Sequence, residues 1–142
     1  MSAHKVSLRA QHHVQATPQQ GGRRRRGTVN LAVQLLEDGR VIGSVRLGLD
    51  GQDGADLGYV FGSSWWGVGY GYEAASAVLA AAFETLELHR VWATCDTRNA
   101  ASARLLEKLG MRQEGMMLQD RKVRDGGRDT GLFARLNEEW RA

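Results

Sequence analysis

The chain has 142 residues, of which 42% are hydrophobic, so it is long enough for one domain with a core and too short for two. No apolar run approaches the roughly 20 residues that span a bilayer, and the polar start lacks the apolar centre of a secretory signal, which predicts a cytoplasmic protein without a membrane partner. The single cysteine, Cys95, excludes an internal disulfide and any site built from several thiolates; it lies within an apolar run and is predicted to be a small core residue.

The formal net charge of +3 is concentrated at the front of the chain. Residues 1–27 hold six of the 19 basic residues and no acidic residue, which leaves 13 basic against 16 acidic side chains and a charge of −3 over residues 28–142. The front segment has no helical or strand periodicity, and its arginine run at 23–26 lacks interleaved aromatic residues. We therefore expect a disordered basic tail over 1–27, a folded domain over 28–142 and no specific nucleic-acid partner.

The first predicted elements of the domain are strands. Apolar residues over 29–36 and 41–49 flank an acidic, glycine-ended turn, a pattern typical of a β-hairpin. A short strand over 56–61 then runs into a glycine-rich loop made of Trp66, Gly67, Val68, Gly69, Tyr70 and Gly71. Alternate glycines let successive backbone N–H groups converge on an anion at the start of the next helix, so the loop predicts a phosphorylated cofactor.

Helices and strands alternate in the second half of the chain. Apolar spacing predicts a helix over 72–86, a strand over 90–95 and a second helix over 100–109 that follows helix-initiating polar residues. Two more predicted strands, over 111–123 and 128–136, are joined by a glycine-containing turn. This order predicts a mixed α/β domain around one central sheet.

Two segments of the chain carry a resemblance to a known family. The loop at 66–71 is similar to the Q/R-x-x-G-x-G/A loop of the GNAT family of acyl-CoA N-acyltransferases, and its tryptophan resembles the RimJ/RimL-like branch. Asp-Thr-Arg-Asn-Ala-Ala-Ser at 96–102, followed by Leu-Leu-Glu-Lys-Leu-Gly-Met at 105–111, resembles the family's second cofactor segment. Arg-Asp at 128–129 and Glu-Glu-Trp at 138–140 are similar to the end of that branch, so the resemblance extends over about residues 29–140.

The resemblance implies a fold and an activity. It implies a mixed, mostly antiparallel central sheet with helices on its faces, and an acetyl-CoA-dependent N-acetyltransferase that works by direct attack in a ternary complex, without a metal. The expected acceptor is a primary amine, either a protein N-terminus such as that of a ribosomal protein, or a small amine such as a polyamine or an aminoglycoside. Because residues 1–27 do not resemble the family's opening, we expect the domain to lack the usual first strand and first two helices.

The same resemblance implies which residues bind acetyl-CoA. The strands at 56–61 and 90–95 would splay apart and hold the pantetheine arm between them, and a backbone N–H near Val60 or Phe61 would polarise the thioester carbonyl. Asn99 would hydrogen-bond the pantetheine arm, cap the second helix, or do both. The pyrophosphate would be bound by the loop residues Trp66, Gly67, Val68, Gly69, Tyr70 and Gly71.

Two residues are candidates for the acid–base chemistry. An amine must be neutral to attack, and Asp56 stands where the branch often carries a glutamate, so it would accept the proton through a water. The alternative is an aspartate that only ends a turn. Leu106 occupies the position of the family's tyrosine proton donor, and Ser102 fits the position of the serine donor of the branch; the alternative is that Ser102 only helps to cap the helix.

Other classes of protein fit the pattern less well. Gly67, Gly69 and Gly71 give G-x-G-x-G, whereas a dinucleotide fingerprint requires G-x-G-x-x-G and a nucleoside-triphosphate loop requires a Gly-Lys-Ser/Thr ending. The alternative that stays open is a GNAT-like domain that binds CoA weakly or serves as an interaction module, because no wall of the acceptor site is recognisable in the first 27 residues. An exposed sheet face would favour a homodimer.

Overall fold

A computed structural model describes residues 4–10, 17–18, 25–123 and 126–142 of the chain. From residue 28 to residue 136 its strands and helices follow the order expected from the sequence. Its elements are β1 (Val6–Ala10), β2 (Thr17–Pro18), β3 (Arg25–Leu35), β4 (Val41–Asp50), β5 (Gly54–Phe61), a 3-10 turn (Ser63–Trp65), α1 (Tyr70–Ala80) continued by a π-helical turn (Ala81–Thr85), β6 (Arg90–Asp96), α2 (Ala100–Lys108), β7 (Arg112–Val123), β8 (Gly126–Leu136) and α3 (Asn137–Arg141).

All these strands belong to one sheet. Its order is β1-β3-β4-β5-β6-β8-β7, with the short β2 paired to β3 beside this path. Neighbouring strands are antiparallel except β5 and β6, which are parallel and joined through α1. The predicted fold class, a mixed and mostly antiparallel sheet with helices packed on it, is confirmed.

The core lies between the sheet and the two longer helices. Alternate residues of β4 and β5, such as Val45, Leu47 and Leu57, are buried on one face of the sheet because side chains of a strand alternate between its faces. α1 and its π-helical extension cover that face with Ala75, Val78, Leu79 and Phe83, and α2 adds Leu106. The prediction for Cys95 is confirmed, since it is buried at 8% exposure.

The front of the chain differs from the sequence prediction. Residues 6–10, expected to be part of a disordered tail, form β1, so the expectation of a domain without a first strand is wrong. β1 pairs antiparallel with β3, from Val6 opposite Leu35 to Ala10 opposite Leu31. The carboxylate of Glu73 on α1 also accepts hydrogen bonds of 3.0 Å from the main-chain N–H groups of Lys5 and Val6.

The physical reason for this difference is that β1 is held by distant partners. The Glu73 carboxylate lies 67 residues away from Val6, and five residues are too few for a reliable alternation of apolar side chains. Arg25 and Arg26, also assigned to the tail, begin β3. Thr17–Pro18, assigned to the tail as well, forms β2. Residues 1–3, 11–16 and 19–24 of the predicted tail lie outside the described residues, as does part of the predicted turn at 124–125.

Candidate functional site

The parallel strands β5 and β6 diverge and leave a cleft in the sheet. They pair over only three residues each, from Gly54 opposite Arg90 to Asp56 opposite Trp92. Beyond this point β5 stays paired with β4 through Phe61, and β6 stays paired with β8 through Asp96. The side of β5 that faces β6 is therefore open after Asp56, at the end of the strand that leads to the glycine-rich loop. The divergence expected from the family resemblance is present.

A cavity of about 430 Å³ lies beside this cleft, at the end of β5. It brings together the end of β5, the glycine-rich loop and the start of α2, which are far apart in the chain. Most of the residues proposed from the sequence to bind the cofactor, and one of the two proposed catalytic residues, line it: Val60, Phe61, Trp66, Gly67, Gly69, Gly71, Asn99 and Ser102. Val68, which is 54% exposed, and Tyr70, which packs on Trp65 with ring centroids 5.8 Å apart, belong to the same loop but are not among its lining residues.

The loop has the backbone that an anion-binding turn requires. Gly67 and Gly69 have φ of +75° and +91°, in the left-handed region that favours glycine. Gly69 is also the N-cap of α1, whose first N–H groups have no partner within the helix and carry the positive end of its dipole. A side chain at either glycine would point into open space. The two glycines are therefore explained by their positive φ angles and by the access they leave to the backbone N–H groups, and not by a lack of space for a side chain.

The indole of Trp66 fixes the loop to the strand before it. Its Nε1 donates a 2.8 Å hydrogen bond to the carbonyl oxygen of Phe61, although the side chain is 63% exposed. This bond spans the 3-10 turn at residues 63–65 and holds the loop at the end of β5. Trp66 stands where the family motif has glutamine or arginine, and it therefore has a structural role in this chain.

Ser102 and Tyr59 meet across the cleft. The Ser102 Oγ lies 2.8 Å from the hydroxyl oxygen of Tyr59, which reaches it from β5. Asn99 is the N-cap of α2, as predicted, and its Oδ1 accepts a 3.0 Å hydrogen bond from the main-chain N–H of Ser102. The cap thus uses the backbone of Ser102 and leaves its hydroxyl to the cleft. Burial raises the pKa of Tyr59, while the hydrogen bond with Ser102 opposes this shift.

Asp56 lies on the other face of the sheet. It alternates with the buried Ala55 and Leu57, and it lines a separate open cleft of about 310 Å³ on β3, β4 and β5. Its Oδ2 lies 2.6 Å from Nη1 of Arg46. The structure therefore does not bring Asp56 and Ser102 into one cavity. It places them on opposite faces, with Asp56 at the last β5–β6 pair, where the two strands begin to separate.

Gly48 leaves space for the Arg46–Asp56 ion pair, whereas a β-carbon at Gly58 would make only an ordinary contact of 3.6 Å with Arg46. Gly48 lies opposite Asp56, and Gly58 lies opposite Arg46, in the β4–β5 register. A β-carbon at Gly48 would come within 2.8 Å of Nη2 of Arg46 and still closer to a carboxylate oxygen of Asp56. The pairing of Arg46 with Asp56 was not predicted from the sequence. The signal for it was the alternation of glycines with polar residues on the two facing strands.

The cavity also includes residues of α2 and β5 that were not predicted from the sequence to be site residues. Arg104 and Lys108 line the 430 Å³ cavity, and their spacing of four residues on a predicted helix was the signal for a shared basic face. Tyr59, on β5, lines the same cavity. Leu106 is fully buried and is not among the lining residues, so the position of the family's usual tyrosine faces the core in this chain.

Within the described part of the chain, no group of three His, Cys, Asp or Glu side chains is placed to hold a metal ion. Among the described helices, none combines the length and the hydropathy that crossing a bilayer requires.

Residues 4–112 match the family model of the acetyltransferase (GNAT) domain. Among curated relatives, the uncharacterized N-acetyltransferase YnaD of Bacillus subtilis is 37% identical over 90 residues, which cover 63% of this chain and 53% of YnaD. The probable N-acetyltransferase YjcK of B. subtilis is 34% identical over 113 residues, which cover 78% of this chain and 62% of YjcK. The chain thus spans between about half and three fifths of the length of these relatives.

Solved structures share the fold. A GNAT-family acetyltransferase from Bacillus anthracis superposes with a TM-score of 0.73 at 33% identity, covering 78% of this chain and 67% of that protein. The ribosomal-protein-S5-alanine acetyltransferase of Vibrio fischeri gives a TM-score of 0.73 at 24% identity, covering 80% of this chain and 63% of that protein, a similarity that concerns the fold alone.

Proposed function

Because this chain belongs to the GNAT acetyltransferase family, we propose that it transfers the acetyl group of acetyl-CoA to a primary amine. The observation that carries the proposal is the open side of β5 after Asp56, together with the adjoining cavity that is lined by Gly67, Gly69 and the start of α1. An elongated cofactor with a diphosphate in its middle fits a site that has an anion-binding loop beside an open strand edge.

Each part of acetyl-CoA has a proposed partner in this cleft. The backbone N–H groups of the loop at 66–71 hold the pyrophosphate, and Arg104 and Lys108 add positive charge on the wall formed by α2. The pantetheine arm lies along the open side of β5, where Asn99 has amide hydrogens to donate. A backbone N–H of Val60 or Phe61 polarises the thioester carbonyl and stabilises the negative charge that develops on its oxygen.

Two side chains are proposed to move protons on the two sides of the reacting carbon. Asp56 accepts the proton that the amine loses, through a water, from the open face of the sheet. Ser102 donates a proton to the sulfur as the carbon–sulfur bond breaks and its electron pair stays on the thiolate. The placement of Asp56 and Ser102 on opposite faces supports this division, since an acceptor and a cofactor that meet at the gap between β5 and β6 would approach from different sides.

For the acceptor, we propose a protein N-terminal amine first and a small amine second. The support is the resemblance of Trp66 in the loop, and of residues 128–129 and 138–140, to the RimJ/RimL-like branch. The homodimer and the cytoplasmic location expected from the sequence stay predictions.

The experiment that tests the proposed function measures release of free thiol from acetyl-CoA against a panel of N-terminal peptides, a polyamine and an aminoglycoside. We expect release that depends on at least one acceptor. If the chain binds acetyl-CoA, as seen by a rise in melting temperature, yet releases no thiol with any member of the panel, it is a CoA-binding module rather than a transferase.

Ser102→Ala is expected to lower kcat by about 100-fold, because general acid catalysis contributes factors of this order. The affinity for acetyl-CoA should stay within about twofold, since the Asn99 cap uses the main-chain N–H, which alanine retains. Steady-state rates and equilibrium titration with acetyl-CoA measure the two effects. Ser63→Ala, an exposed serine in the 3-10 turn, is the matched control. Equal kcat for Ser102→Ala and Ser63→Ala would remove Ser102 from the mechanism.

A further inference from the structure

The contact between Tyr59 and Ser102 is a hydrogen bond between two hydroxyl groups inside the proposed cofactor cleft. The oxygens are 2.8 Å apart, a normal length for an O–H···O bond. Tyr59 comes from β5 and Ser102 from the first turn of α2, so the bond crosses the cleft between two elements. Both residues line the cavity, and the phenol ring is partly buried beside Phe61, at a centroid distance of 6.4 Å.

A serine alone is a weak proton donor to a thiolate. The pKa of an aliphatic hydroxyl lies far above that of a thiol, which is about 8.5. A proton passed from Ser102 to a thiolate would therefore leave an alkoxide that takes it back. A phenol has a pKa of about 10, much closer to the thiol, and can refill the serine as its proton departs.

On the basis of the proposed function, we infer that Tyr59 is a positioning and proton-supplying residue that acts through Ser102. The phenol donates its hydrogen bond to Oγ and leaves the serine hydrogen free to turn toward the cleft. As the carbon–sulfur bond breaks, the sulfur gains the Ser102 proton, and Ser102 gains the proton of Tyr59. The resulting phenolate takes a proton from solvent after the product leaves, which balances the proton that the amine releases to solvent through Asp56.

The surroundings of the phenol fit this role. Burial raises the pKa of Tyr59 and the hydrogen bond with Ser102 opposes this rise, so the phenol holds its proton at neutral pH until the serine loses its own. The fully buried Leu106 holds the position from which the family's usual tyrosine would act. A phenol that arrives from β5 therefore supplies the group that α2 lacks.

The test compares wild type, Tyr59→Phe, Ser102→Ala and the double variant. Phenylalanine keeps the ring beside Phe61 and removes only the hydroxyl. We expect Tyr59→Phe to lower kcat by at least about tenfold with unchanged affinity for acetyl-CoA, and the double variant to be no slower than Ser102→Ala alone, because both act in one step. The solvent isotope effect on kcat should fall in Tyr59→Phe, a change that a packing role would not produce.

If Tyr59→Phe has the kcat and the solvent isotope effect of wild type, the relay is overturned and the transferase assignment stands. The same holds if the loss of kcat in the double variant equals the product of the losses in the two single variants. Absence of acceptor-dependent thiol release from wild type would overturn both.

Discussion

Gly69→Glu is expected to abolish the rise in melting temperature that acetyl-CoA gives the wild-type chain. Gly69 has a φ of +91° and is the N-cap of α1. Glutamate there adds a negative charge where the proposed diphosphate binds, and it disfavours the left-handed backbone by about 1–2 kcal/mol. For wild type at a hundredfold excess of ligand over Kd, the expected stabilisation is about 2.7 kcal/mol, which a thermal melt detects readily.

The chain offers a matched control for this variant. Gly39, in the turn between β3 and β4, also has a positive φ, of +75°, and open space where a side chain would be placed. Gly39→Glu therefore carries the same added charge and a similar backbone cost, away from the cleft. Both variants should melt below wild type, but only Gly39→Glu should keep its response to acetyl-CoA. A full response in Gly69→Glu would show that the loop does not hold the diphosphate.

Asp56→Asn is expected to lower kcat by about 10²–10⁴-fold, the usual contribution of a general base. The amide keeps the shape of the side chain but cannot accept a proton from the attacking amine. Arg46 lies within 2.6 Å of Oδ2 and 3.4 Å of Oδ1, so the carboxylate is held in place on the open face while Oδ1 has the looser contact. Initial rates at saturating acceptor and acetyl-CoA measure the effect, and affinity for acetyl-CoA should not change.

Asp38→Asn is the control for Asp56→Asn. Asp38 also forms an ion pair with an arginine, Arg40, at 2.9 Å, but in an exposed turn outside both clefts. Hydrogen bonds from the Arg40 backbone and side chain lower the pKa of Asp38. Loss of this surface pair should leave kcat unchanged. If Asp56→Asn keeps a rate within about twofold of Asp38→Asn, Asp56 is not the base, and its pair with Arg46 only supports the sheet.

The elements that the sequence predicted well are those with local signals. The apolar stripe of α1, the polar start of α2 and the turn before β4 depend on residues within one or two turns of each other. The glycine spacing of the loop at 66–71 similarly reflects local backbone angles, and the structure shows φ above zero at Gly67 and Gly69. Such features can be inferred from a window of a few residues.

The features that the sequence did not predict depend on partners far apart in the chain. β1 is held by β3 and by the Glu73 carboxylate, and Tyr59 meets Ser102 across a separation of 43 residues. The Arg46–Asp56 pair requires the register of β4 against β5, which the loop between them sets. No periodicity within one segment reports such contacts. The placement of Asp56 and Ser102 on opposite faces likewise depends on which residues of β5 point toward the helices and which point to the other side of the sheet.

The most direct measurement compares the binding of acetyl-CoA and acetylpantetheine to the wild-type chain by isothermal titration calorimetry. The two compounds share the thioester and the pantetheine arm. Only acetyl-CoA has the diphosphate and the phosphorylated adenosine attached to it. If the amides at residues 66–71 grip that diphosphate, acetyl-CoA should bind to one site and acetylpantetheine should bind at least about 100-fold more weakly, the loss of several charge-assisted hydrogen bonds. Equal affinities, or no heat with acetyl-CoA, would contradict the assignment of this loop as the cofactor site.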